Sequence, residues 1–125
     1  MKRLFLIMFL VLATLSLSAC TQKKLSFDEV DNVPKKVTKA INVDEQIQVI
    51  NRSGKTYYII FRSQEDVEAS LETVDTTALI KLDEVNPKDN DVKQYVYSLT
   101  MDQHHDTIEI QVNGKSMAHP MTIID

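Results

Sequence analysis

The strongest constraint on the fold is a period of two in the hydrophobic pattern, which starts at residue 46 and recurs through most of the remaining chain. This period puts alternate side chains on opposite faces of an extended segment, so each run predicts a β-strand. Residues 56–61 are β-branched or aromatic throughout and predict a central strand covered on both faces. The predicted strands are 46–50, 56–61, 67–72, 77–82, 92–101 and 107–112, with a short seventh at 121–124.

Short connections and one helix complete the predicted fold. Parallel crossovers need a dozen or more residues, and most connections here are shorter, which favours antiparallel pairing. Gly54 and Gly114 are expected at hairpin turns, where a positive φ is required. The apolar residues at 33, 37, 40 and 41 share one face of a short helix, with Pro34 in its first turn. The predicted fold class is mainly β (α+β): an antiparallel meander sheet of about six strands with one N-terminal helix.

The first nineteen residues have the organisation of a secretory signal peptide. Lys2 and Arg3 are followed by an apolar stretch over 4–15, and small residues including Ser18 and Ala19 precede Cys20. We therefore divide the chain into a signal peptide at 1–19, a tether at 20–32 and a single β-rich domain at 33–125. Cys20 is the only cysteine, so a disulfide within the domain is impossible and its stability must come from its core.

Length and charge exclude several classes of protein. A chain of 125 residues forms one small domain after loss of a signal peptide. It contains 14 Lys and Arg against 18 Asp and Glu, with a net charge of −4. Two of the basic residues lie before Cys20, so the mature domain is still more acidic. This balance argues against nucleic acid as a partner.

A cluster of possible metal ligands occurs near the C-terminus, at Asp102, His104, His105 and Asp106, with His119 further along. Histidine and carboxylate groups can bind zinc, but adjacent histidines of an extended strand point to opposite sides. The cluster also lies where a turn is needed. We therefore expect surface turn residues here and predict neither a metal site nor a cofactor.

Calcium binding and nucleophilic catalysis have weaker support. The acidic loop around Asp89 lacks the EF-hand spacing, because Lys93 and Gln94 stand where an oxygen ligand and a glycine are needed. Ser53 lies in Arg-Ser-Gly rather than in a nucleophile elbow. No catalytic residue is predicted, although a triad assembled in space remains open at this stage.

Two groups of residues offer possible interaction surfaces. Lysines close to the N-terminus could attract anionic lipid or form an ordinary solvated face. Aromatic residues on the second and fifth predicted strands could form a binding face if one side of the sheet stays open, but core packing is the preferred interpretation. The lysines are Lys23, Lys24, Lys35, Lys36 and Lys39, and the aromatic residues are Tyr57, Tyr58, Phe61, Tyr95 and Tyr97.

Leu17-Ser18-Ala19-Cys20 resembles the lipobox of bacterial lipoproteins, and the composition is similar to the Gram-positive type. The resemblance implies cleavage between Ala19 and Cys20, and a diacylglyceryl group on the thiol of Cys20. It also implies attachment to the extracytoplasmic face of the cell membrane. Two acyl chains suffice for stable attachment, whereas one is marginal.

Three strand-like runs, at 55–61, 93–100 and 106–115, resemble those of short Gram-positive lipoproteins without an established function. Some such proteins carry peptidyl-prolyl isomerase labels. The chain lacks the tryptophan and glycine-rich motifs of FKBP-type isomerases and the patterns of parvulins. We expect a non-enzymatic binding module for an envelope protein or polymer, with isomerase activity or small-ligand binding as alternatives.

Overall fold

The computed structural model describes residues 24–86 and 91–124, which contain nine strands and one helix. The helix, α1, spans Lys35–Ala40. The strands are β1 (Ser26–Glu29), β2 (Ile47–Arg52), β3 (Thr56–Ser63), β4 (Val67–Val74), β5 (Thr77–Glu84), β6 (Lys93–Thr100), β7 (Thr107–Val112), β8 (Lys115–Ser116) and β9 (Met121–Ile124).

The strands form two sheets that pack face to face. Sheet A has the order β1-β6-β3-β2-β9, and sheet B has the order β4-β5-β7-β8. The core between them combines alternate residues of both sheets, because the period of two sends one face of each strand inward. Its fully buried side chains include Ile59, Phe61, Ile80, Leu82, Leu99 and Ile110. The prediction of a mainly β fold with one short helix is confirmed, whereas the single antiparallel meander is wrong.

Two parallel strand pairs separate this topology from a meander. Strands β5 and β7 pair in parallel because the chain crosses to sheet A as β6 before it returns. The crossover that parallel pairing requires is thus supplied by a strand of the opposite sheet. Strand β9 pairs in parallel with β2 at the edge of sheet A. The remaining neighbouring strands among the described residues pair antiparallel.

A smaller core lies on the other face of sheet A, beneath α1. Val37 of the helix packs against Ile50, Ile60 and Val96, and all four side chains are buried. This explains why residues 56–61 are apolar on both faces: β3 is covered by sheet B on one side and by α1 on the other. Lys35, Lys36 and Lys39 lie on the exposed side of the helix.

The stretch 20–32, expected to be a tether, contains strand β1 in its second half. Phe27 pairs with Leu99 of β6, and its ring stacks on that of Tyr97 with 5.3 Å between centroids. Leu25 packs at the margin of the same core. Pairing with β6 and apolar contacts therefore hold Ser26–Glu29 as an edge strand of sheet A.

Candidate functional site

The five aromatic residues proposed as a binding face do not share an open surface. Phe61 and Tyr97 are 0% and 3% exposed and lie in the core between the sheets. Tyr57 and Tyr95 are half-buried against that core, and Tyr58 lies on the opposite face beneath α1. Sheet B covers the face of sheet A that would have to be open for a binding face, so these rings serve mainly in packing, which was the preferred interpretation.

A polar cleft lies at one end of the sandwich, where β3 and β5 end and β6 begins. Its volume is about 400 Å³. Polar groups from both sheets converge on it, together with one apolar side chain. The lining residues are Gln46, Arg62, Ser63, Gln64, Glu65, Glu84 and Val92.

A hydrogen-bonded group across the two sheets forms the floor of the cleft. The hydroxyl of Ser63, a residue only 5% exposed, donates to the carboxylate of Glu84. The Ser63 Oγ also accepts a hydrogen bond from the backbone N–H of Glu65 at 3.0 Å. Asn113 holds Glu84 from the other side, donating from Nδ2 to Oε1 at 3.0 Å and accepting the Glu84 N–H at 2.9 Å. These contacts fix the orientation of the Glu84 carboxylate.

The rim of the cleft is held by hydrogen bonds from β6. Arg62 donates to the side-chain carbonyl of Gln94 at 2.8 Å, and the Tyr95 hydroxyl donates to the backbone carbonyl of Glu65 at 2.9 Å. Asp66 lies just beyond and accepts from Asn86 and, at 3.0 Å, from Lys93. These hydrogen bonds lower the pKa of Asp66, and the positive charge of Lys93 adds to the effect.

The side chains that line the cleft are mostly polar or charged. Arg62 offers a cation, Glu65 and Glu84 offer carboxylates, and Gln46 and Gln64 offer amides that both donate and accept. Among the described residues that line it, none is a histidine, so the Ser63 hydroxyl is paired with a carboxylate rather than with an imidazole base. Serine activation ordinarily uses an adjacent general base.

The histidine-rich turn at 102–106 forms a local structural unit at the other end of the sandwich. Asp102 Oδ1 lies 2.7 Å from Nδ1 of His105 and accepts the backbone N–H of His105 at 2.9 Å. The side-chain hydrogen bond to His105 lowers the pKa of Asp102. His105 is buried, whereas His104 is exposed.

No group of three or more His, Cys, Asp or Glu side chains within 24–86 and 91–124 is arranged to hold a metal ion. Asp106 bonds to the hydroxyl of Thr107 instead, at 2.9 Å. Asp89 and Asn90 of the acidic loop lie outside the described residues, and so do Ala19 and Cys20 of the predicted lipid attachment site.

The start of β1 and the cleft lie at opposite ends of sheet A. Ser26 pairs with Thr100, which pairs with Thr56 at the start of β3. Ser63 ends β3 at the cleft. Eight residues at a rise of about 3.3 Å place the two ends roughly 25 Å apart. The described chain thus enters β1 at the end of sheet A that is remote from the cleft.

No family model, curated protein or solved structure matches this chain. The resemblance to short lipoproteins stays a prediction. A helix long and apolar enough to cross a membrane does not occur within the described part of the chain.

The cleft was not predicted, although the sequence contains a signal for it. Ser63 follows Ile59 and Phe61 on the face of β3 that points into the core, and Glu84 follows Ile80 and Leu82 in the same way on β5. A polar residue that continues an inward-facing apolar series marks the place where a core gives way to a polar site. The sequence pattern does not show that β3 and β5 lie opposite each other, so it does not reveal that Ser63 and Glu84 meet.

Proposed function

We propose that the protein is a lipid-anchored binding module of the cell envelope, attached through Cys20 and binding a polar ligand or polar partner segment in the cleft. The observation that carries this proposal is the convergence of charged and amide side chains from both sheets at the end remote from β1. The start of β1 and the cleft are at opposite ends of sheet A.

The charge distribution supports attachment at an anionic membrane surface. Helix α1 exposes Lys35, Lys36 and Lys39 and contains no acidic residue. The outer face of sheet B contains Glu68, Glu72, Asp83 and Glu109, with Lys81 bonded to Glu72 at 3.0 Å. The basic helix and the acidic sheet are on opposite sides of the molecule, which favours an orientation with α1 toward anionic lipid.

The proposed ligand is rich in hydrogen-bonding groups and carries no net negative charge. Glu65 and Glu84 outnumber the one cation of the lining, Arg62, so an anionic ligand is disfavoured, and the polar lining disfavours an apolar one. A cleft of about 400 Å³ is within the range of small-molecule sites. Small-ligand binding is therefore the second candidate function, supported by the same lining residues.

Attachment is tested by metabolic labelling with a palmitate analogue and by membrane fractionation. The native chain and a Thr21→Ala control are expected to be labelled and membrane-bound. Cys20→Ala is expected to lose the label and, once its signal peptide is cleaved, to leave the membrane fraction. A cleaved Cys20→Ala chain that remains on the membrane would contradict the anchor.

Binding in the cleft is tested by photocrosslinking in cells. A photoreactive residue at Gln64, in the cleft, is compared with one at Ser70, an exposed position on the outer face of β4. A specific adduct is expected from position 64 alone, and it should weaken when Arg62 is changed to Ala. Equal labelling from both positions, or none from position 64, would contradict the cleft as the binding site.

A further inference from the structure

Strand β9 forms an edge of sheet A that differs from the other sheet edges of the described chain. Exposed edges are usually protected by charged side chains, which discourage pairing with other strands. β1 contains Asp28 and Glu29, β4 contains Glu68 and Glu72, and β8 has only two residues, one of them Lys115. Residues 120–124 contain no charged side chain.

Exposed apolar side chains accompany this unprotected edge. Ile123 is 76% exposed and Met121 is 49% exposed, although both are on the same side of the sheet as the buried Val49. Met117, which follows β8 at the neighbouring edge of sheet B, is also exposed. Apolar side chains are therefore exposed along this seam beside the buried core, and an exposed apolar patch of this kind is expected of an interaction surface.

The backbone groups at this edge are also available for pairing. Val49 donates its N–H to the carbonyl of Pro120 at 2.9 Å, so that carbonyl points toward β2. Because these groups alternate in direction along a strand, the N–H and C=O groups of Met121 and Ile123 point away from β2. No strand within the described ranges pairs with them.

We infer that β9 pairs antiparallel with β9 of a second copy of this chain, around a two-fold axis at Thr122. In this register Met121 of one copy lies opposite Ile123 of the other, and their outward backbone groups form a hydrogen-bonded pair. Thr122 lies opposite Thr122 of the other copy, and threonine pairs of this kind are favourable. Every directly opposed pair within 120–124 is uncharged, so this part of the edge is complementary to itself, as a two-fold interface requires.

The size of the contact limits its strength. A stable interface usually involves about 20–30 residues on each side, whereas this edge offers a four-residue strand and its neighbours. The pair should therefore be weak in dilute solution and stronger when both copies are held on one membrane.

The two-fold axis lies perpendicular to sheet A, so the α1 helices of both copies face the same side of the joined sheet. The membrane part of this inference rests on the proposed anchor at Cys20.

Disulfide trapping on membranes tests the register directly. Thr122→Cys places two thiols across the axis at a Cα separation of about 4.5–5.5 Å, which suits a disulfide. Membranes containing this variant are treated with copper phenanthroline, beside the native chain and Ser70→Cys on the β4 edge. Covalent dimer is expected from Thr122→Cys at several times the yield of either control. Equal yields, or a crosslink only to a different protein, would overturn the inference.

Charge substitutions at the same position distinguish self-pairing from pairing with another protein. Thr122→Glu and Thr122→Lys each put like charges directly opposite one another, which is destabilising. Energy transfer between labelled copies on one membrane should fall to background for each variant alone and return when the two are mixed. Energy transfer that persists in Thr122→Glu would overturn the inference. Palmitate labelling should be unchanged in both variants, so failure of the anchor would be seen separately.

Discussion

Individual residues differ sharply in how far the sequence determines their environment. The strand predicted over 56–61 forms as part of β3, and its alternate residues Ile59 and Phe61 are fully buried between the sheets. Gly114 lies in the predicted hairpin turn, where φ is 83° and the preceding Asn113 has φ of 52°. The pairing of Ser63 with Glu84 was not predicted, because the hydrophobic pattern specifies a face of a strand and not the residue that lies across from it.

The core position of Ile59 gives a first stability prediction. Replacing Ile59 with Ala removes buried methyl groups and leaves a cavity, so the free energy of unfolding should fall by about 2–5 kcal/mol. The matched control, Ile123→Ala, changes a side chain that is 76% exposed and should alter it by less than about 0.5 kcal/mol. Urea unfolding of the chain without its signal peptide measures both. Similar losses in the two variants would contradict this assignment of the core.

Tyr97 gives a prediction of pH dependence. Burial raises the pKa of its phenol from 10.0 to about 12, with smaller contributions from Glu29 and Tyr95. The folded state thus binds the phenolic proton more tightly than the unfolded state. The stabilisation that results from this difference in pKa is fully present below pH 10 and is lost as the pH rises toward 12.

Unfolding free energies measured from pH 8 to 12 test this effect. Tyr97→Phe should show a smaller loss of stability above pH 10 than the native chain. Tyr58→Phe, which changes a tyrosine on the opposite face of sheet A, should keep the native dependence of the unfolding free energy on pH. An unchanged alkaline slope in Tyr97→Phe would show that this phenol is not responsible.

Elements were predictable where their hydrophobic pattern is long, and less so where they are short. The helix was expected over 33–41 and forms at Lys35–Ala40, and each of the main predicted strands forms within a few residues of its expected bounds. β1 was missed because Leu25, Phe27 and Val30 are scattered through a polar and charged segment. Its stability depends on contacts with β6, which no local pattern reveals.

The ring contact of Phe27 gives a prediction for β1. Phe27→Ala removes the stack on Tyr97 and half-buried apolar area, so the free energy of unfolding should fall by about 1–2 kcal/mol. Hydrogen exchange over 26–29 should also become faster, whereas Ser26→Ala should change neither quantity appreciably. Rapid exchange over 26–29 in the native chain would instead favour the original tether.

The arrangement of the whole molecule was the least predictable level. The hydrophobic pattern showed that the chain is mainly β, but it does not indicate which strands are neighbours. Pairing of β5 with β7 and of β2 with β9 depends on packing between distant segments. The same packing creates the cleft and covers most of the aromatic residues of β3 and β6. The cleft could therefore not be located before the arrangement of the two sheets was known.

The separation of charge across the sandwich gives a prediction for the whole molecule. The chain without its signal peptide should bind phosphatidylserine vesicles more tightly than neutral vesicles at low salt. Changing Lys35, Lys36 and Lys39 to Ala together should weaken that binding about tenfold or more, since each lysine contributes up to about 1 kcal/mol. Lys115→Ala, on sheet B, should have much less effect than Lys36→Ala. If Lys36→Ala and Lys115→Ala weakened vesicle binding equally, the proposed orientation with α1 toward the lipid would be contradicted.

The isomerase alternative makes a separate prediction. The lining of the cleft is polar, with Val92 as its one apolar side chain among the described residues, and it lacks an aromatic floor for a proline ring. The folded chain without its signal peptide should therefore not accelerate cis/trans isomerisation of a proline peptide. Acceleration that increases with protein concentration and survives repurification would overturn the non-enzymatic assignment.

The pairing of β9 with β2 also has a consequence for how the chain folds. These strands come from opposite ends of the domain sequence, and β5 and β7 likewise meet only after β6 has been placed in the other sheet. Closing such distant contacts costs chain entropy before any packing compensates for it, so folding in the millisecond to second range is expected. During that interval the uncharged β9 segment is still unpaired. Wherever this chain folds, crowding by other copies at that moment would favour their association before each sandwich is complete.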